Sequence, residues 1–111
     1  MNTPIRRWKR TKIDMRVRLR RAGDPNDSGV VVRTYEISEG GMSLYVPDPF
    51  EPDTPVTLEF ILPGSPRQIT VSAFIRNRRG FRHGLEFVDV SEADRAEITS
   101  YLAAVVDVIE I

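Results

Sequence analysis

The sequence predicts a mostly β domain: a six-stranded antiparallel barrel, closed or nearly so, with an α-helix across one end and an arginine-rich arm in front. Three observations lead there. From Asp14 to Arg21 the chain alternates strictly between apolar and polar residues, and further short strand-like runs, β-branched or alternating, follow. Glycine- and proline-rich breaks separate those runs at the spacing of an all-β domain. After Ser91 the apolar period changes from two residues to that of a helical face.

Residues 2–12, NTPIRRWKRTK, show neither period, and Pro4 discourages regular structure, so residues 1–13 read as a flexible basic arm and residues 14–111 as the folded body. Met15, Val17 and Leu19 alternate with Arg16, Arg18 and Arg20 as the first strand. The turn formers AGDPNDSG at 22–29 lead into the β-branched run from Val30 to Ile37, which makes a hairpin of the first two strands. Ser38 to Gly41 breaks the chain, Gly40 and Gly41 allowing backbone angles that β-branched residues refuse. Met42, Leu44 and Val46 form the third strand. Residues 47–55, PDPFEPDTP, hold four prolines and predict a long irregular connection. The last three strands are VTLEFIL, ITVSAFIRN and FRHGLEF, divided by PGSP at 63–66 and by Arg79-Gly80. Ser91 and Asp94 make a variant capping box, followed by Ile98, Tyr101, Leu102, Val105 and Ile109 on one face of a helix spanning about 91–109 that should close the barrel.

A length of 111 residues fits one domain, and 41% apolar with 29% charged residues is a globular composition. Without cysteine there is neither a disulfide framework nor a thiolate metal site. Apolar stretches fall short of the ~20 residues of a membrane helix, so a cytoplasmic protein without membrane insertion is expected. Net charge is zero but unevenly placed: residues 1–21 carry nine bases and one acid, the other ninety seven bases and fifteen acids. That asymmetry suggests a local anionic partner, or contact of arm with body.

Two clusters stand apart from fold-making: Arg6-Arg7-Trp8-Lys9-Arg10 in the arm, and Glu36-Ile37-Ser38-Glu39-Gly40-Gly41 at a strand connection. In that order, with a later Gly84-Leu85-Glu86-Phe87 strand, they resemble the PilZ family, whose signature is an RxxxR arm followed by [D/N]xSxxG. The match sets Arg6 and Arg10 as the arm pair, Arg7 as the additional arm arginine, and Glu36, Ser38 and Gly41 on the turn, with Gly40 beside them. The resemblance implies a PilZ-type barrel that binds the bacterial second messenger cyclic di-GMP, orders its arm over the ligand and thereby signals to a partner protein. With no cysteine and a single histidine, no metal and no resident cofactor is expected.

The chemistry is sound on its own terms. A guanidinium can meet a phosphate through two parallel hydrogen bonds, engage guanine O6 and N7 in the same way, or stack on a base. A turn with a serine hydroxyl and glycine amides offers donors to an anion, and a carboxylate accepts from guanine N1–H and N2–H. Glu36 departs from the family's Asp or Asn, its extra methylene carrying the carboxylate outward by about 1.5 Å. Trp8 reads as a pin of the arm to the barrel, with stacking on guanine as the alternative. Arg33 and Arg76, on strands expected to be neighbours, are candidates for the ligand face or simple surface charges. His83 is the only histidine, which gives a catalytic or metal role little to work with, and no enzymatic constellation, P-loop or dinucleotide fingerprint is present. A degenerate adaptor that binds proteins without nucleotide is the second reading, motivated by Glu36. Nucleic-acid binding is a third, opposed by the acidic body and the lack of outward aromatic rows. The expected oligomeric state is a monomer or weak dimer.

Overall fold

A computed structural model describes residues 10–109. The elements are β1 (Thr11–Lys12), β2 (Arg16–Arg21), β3 (Val30–Ile37), β4 (Gly41–Tyr45), β5 (Pro55–Ile61), β6 (Gln68–Arg79), β7 (Arg82–Asp89) and α1 (Glu92–Ile109). Six strands pair all-antiparallel in the circular order β3-β2-β5-β6-β7-β4, and β4 closes the circle by pairing back to β3. Closure removes the open edges that would otherwise template aggregation.

The barrel is filled by the inward set of each alternation: Val17 and Leu19, Val56 and Leu58, Ile69, Val71 and Ile75, and Leu44 are all essentially inaccessible. Two plugs complete this core. At one end α1 inserts Ile98 and Leu102. Ser91 Oγ accepts the Asp94 N–H at 3.1 Å as a helix cap, while the Asp94 carboxylate turns to Arg67 at 2.7 Å and Ser65 Oγ donates to Glu97 at 2.8 Å, clasping the β5–β6 turn to the helix. At the other end the proline-rich connection, read from sequence only as irregular, folds inward and buries Phe50. His83 holds it there: this fully buried ring accepts the Phe50 N–H at Nε2, 3.0 Å, and its Nδ1 lies 3.1 Å from the Phe81 carbonyl. The tautomer that serves both partners carries its proton on Nδ1. The sole histidine is therefore bound up in the architecture.

The sequence reading runs the arm to residue 13, yet Thr11 and Lys12 pair with Ile37 and Glu36 along the same edge of β3 that receives β2. β1 and β2 act as one strand interrupted at 13–15. There the buried Thr34 hydroxyl stands in for ladder bonds, accepting the Met15 N–H at 3.0 Å and donating to the Ile13 carbonyl at 2.8 Å. Among the described residues no helix is long and apolar enough to cross a membrane.

The β2–β3 loop is organised by Asp27, whose carboxylate accepts the Arg21 and Gly29 N–H groups at 2.8 and 2.9 Å. These backbone bonds, the Arg21 one foremost, hold its carboxyl below the ordinary 3.8. The unfolded chain then takes up the proton first, so the Asp27 contribution is complete above about pH 4 and disappears as pH falls through the lowered value. Acid denaturation of Asp27→Asn should accordingly lose part of the wild-type slope below pH 4, measured by circular dichroism.

Candidate functional site

Three outward positions on adjacent strands carry almost no side chain: Gly41 and Ser43 on β4, and Gly84 on β7. They form the floor of a cleft of about 730 Å³ on the barrel's outer face. The strand register explains its shape. Glu36, Ser43, Gly84 and Asn77 lie opposite one another across β3, β4, β7 and β6, two small residues between two long ones.

A bulge sits in each flanking strand. In β3 the pairing slips between Thr34 and Glu36, so Tyr35 joins Glu36 on the outside; in β6 it slips between Ile75 and Asn77, so Arg76 joins Asn77. Each inserted residue adds a side chain to the cleft surroundings without moving the core.

Charge is concentrated here. Arg10, Arg76, Arg78, Arg79 and Arg82 line the cleft, against Glu36 and Glu86. Four of the seven bases that follow residue 21 thus gather in one place on an otherwise acidic body. Arg10 is ion-paired to Glu36 Oε1 at 2.9 Å, leaving Oε2 outside that pair. Arg76 donates to Glu86 at 2.6 Å and to Asp53 at 3.2 Å; the Glu86 bond above all raises its guanidinium above the usual value. Arg78 reaches Glu51 at 3.7 Å. Arg82 stacks on the Tyr35 ring, 3.6 Å from its centroid, and Tyr35 meets Tyr45 edge-on at 5.6 Å.

Of the residues singled out by sequence, Arg10, Glu36, Ser38, Gly40 and Gly41 all line this cleft. Arg6, Arg7 and Trp8 lie outside the described residues. Ser38 is buried and shapes the turn: its N–H donates to the Gly41 carbonyl at 2.9 Å, and its hydroxyl accepts the Gly40 N–H at 3.2 Å. Neither Gly40 nor Gly41 is among the positive-φ glycines, which corrects the conformational reason given to them. Gly41 is required instead by contact, because a Cβ there would be driven into the Leu85 carbonyl of β7. Arg76 belongs to the cleft whereas Arg33 does not, being paired with Asp14 at 2.8 Å; β3 and β6 are not neighbours in the sheet. Sequence reasoning passed over Arg78, Arg79, Arg82 and Asn77, although the run Arg76-Asn77-Arg78-Arg79, polar at four successive positions of a strand and charged at three of them, breaks the alternation and marks the place.

A family model described as PilZ domain matches residues 4–104. Among solved structures, the Bacillus subtilis inhibitor of motility MotI/DgrA superposes with a TM-score of 0.72 at 21% identity, over 89% of this chain and 50% of that one. The chain thus spans about half the length of that protein. The PilZ domain of CeSA from a cellulose-synthesizing bacterium superposes with a TM-score of 0.67 at 17% identity, over 87% of this chain and 97% of that domain. At these identities the likeness is one of fold. Among curated proteins none matches the sequence.

Proposed function

The chain belongs to the PilZ domain family, and on that premise we propose that it is a cyclic di-GMP receptor whose ligand sits in the arginine-lined cleft. The observation that carries this reading is the meeting of five arginines, a small-residue floor and the base of the arm on one rim. A doubly anionic ligand gains charge-assisted bonds from guanidinium groups, and the Gly41–Ser43–Gly84 floor lets a flat purine approach the sheet. Glu36 retains one carboxylate oxygen for guanine N1–H and N2–H while the other holds Arg10. Arg6 and Arg7, four and three residues before Arg10, complete the proposal: they fold over the bound ligand, and this ordering remakes a surface read by a partner protein. Ordering a segment costs conformational entropy, which keeps affinity modest.

Calorimetry with cyclic di-GMP tests it. Arg10→Ala should weaken binding about ten- to a hundredfold, the equivalent of ~1.5 to 3 kcal/mol for a lost charge-assisted bond, and Ser38→Ala should weaken it by loosening the turn that its hydroxyl shapes. Titrations indistinguishable from wild type would remove the reading. The Arg10–Glu36 pair supports a second one, a protein-binding adaptor without nucleotide, since the two charges already neutralise each other. In that case wild type gives no heat and Glu36→Asp creates binding.

A further inference from the structure

From the β6–β7 hairpin we infer that Arg79 and Arg82 form a second anion subsite, taking the phosphodiester of the cyclic dinucleotide that Arg10 does not reach. The inference rests on the cyclic di-GMP reading for its ligand, but its observations are independent of the arm and of the Ser38 turn.

Arg79 and Arg82 are directly opposite each other in the strand register, at the mouth of a turn of only two residues, Gly80 and Phe81. Gly80 takes φ +62°, which makes so tight a reversal possible. Like charges directly opposite on one sheet face destabilise the pairing. Among the described residues no carboxylate relieves them. Arg10, Arg76 and Arg78 each have a carboxylate within ion-pairing distance, whereas among the described residues Arg79 and Arg82 have none. The described barrel thus keeps two adjacent positive charges on the cleft wall without a carboxylate partner among its described residues.

One of the two is also fixed in position. The Arg82 guanidinium lies against the face of Tyr35, which the β3 bulge has turned outward, so its head is held while its in-plane N–H donors stay available. A held cation beside a like cation without a counter-ion is a receptor for an anion with several acceptor oxygens, and a phosphodiester offers two. The pair sits beyond the Glu36–Ser43–Gly84–Asn77 row, since Arg82 pairs with Tyr45 one outward position further along β4. One outward step along a strand is about 7 Å. A cyclic dinucleotide carries its two phosphodiesters on opposite sides of its ring, so it requires two such receptors at separate places.

The test combines two variants with two probes. Arg79→Gln and Arg82→Gln are titrated with cyclic di-GMP at several salt concentrations, and amide shifts of residues 80–82 are followed on adding inorganic phosphate. Each variant should bind cyclic di-GMP tenfold or more weakly, with a salt slope shallower than that of wild type, since one screened charge pair has been removed. Arg79→Gln should at the same time melt no lower than wild type, since it relieves a like-charge contact; that separates lost binding from lost folding. Wild-type affinity and slope in both variants overturn the subsite and leave the receptor reading standing. If wild type ignores cyclic di-GMP while phosphate shifts the hairpin amides in wild type and not in the Arg79→Gln/Arg82→Gln double variant, the receptor reading falls and the anion site stands. No response to either probe sinks both.

Discussion

Gly41→Ala is expected to lower the urea midpoint by the equivalent of about 3 kcal/mol, the upper range for forcing atoms into a packed site. The added methyl would meet the Leu85 carbonyl and Cα of Glu86, main-chain atoms of a strand tied on its other side to β6. Neither can yield without breaking the β4–β7 pairing that closes the barrel. Gly84→Ala is the control. Its methyl would sit 2.8 Å from Asn77 Oδ1, the end of a flexible side chain that can swing away, so the cost should stay near 1 kcal/mol. On the proposed cyclic di-GMP reading, Gly84→Ala should also weaken the calorimetric titration with that ligand, since it raises the cleft floor. Comparable losses of stability in both variants would show that main-chain crowding is not the reason for glycine at 41.

His83→Ala should cost about 4 kcal/mol, measured by denaturant unfolding, through a buried cavity of aromatic size and an unpaired Phe50 N–H. His83→Phe distinguishes the contributions: it restores volume but accepts no hydrogen bond, so about 2 kcal/mol of the loss should remain. A variant as stable as wild type would mean that the proline-rich connection does not depend on this ring. Because Phe50 plugs the barrel end and Arg21 stacks over its face at 4.5 Å, the effect should extend to that whole end of the molecule.

These residues mark where the sequence was legible and where it was not. The six strands and the helix were readable because burial is one-sided: the alternation at 16–21, 55–61 and 68–75 is the imprint of a sheet with one face in the core. The barrel plug at Phe50 was not, since a proline-rich segment carries no period from which to infer an inward turn. The role of His83 was hidden because a buried, doubly hydrogen-bonded ring and an idle surface ring look the same in a string of letters. β1 escaped because two residues are too short to show alternation and its partner lies more than twenty positions away. The cleft was half legible. Glu36, Ser38 and the two glycines come from one continuous stretch, whereas Arg79 and Arg82 acquire meaning only through the register that sets their hairpin beside that stretch. The bulge at Tyr35 left no trace in the letters: Val32, Thr34 and Ile37 are buried, an even-to-odd change of parity, but Thr34 is polar and Tyr35 aromatic, so the string VVVRTYEI does not display it.

That change of parity gives the barrel a way to evolve. A single extra residue on each flank lets Tyr35 and Arg76 project outward while the hydrophobic lattice beneath keeps its own count. The two positions are therefore adjustable without rewriting the interior: what these kinks display to solvent can be exchanged while the packed cylinder beneath stays the same.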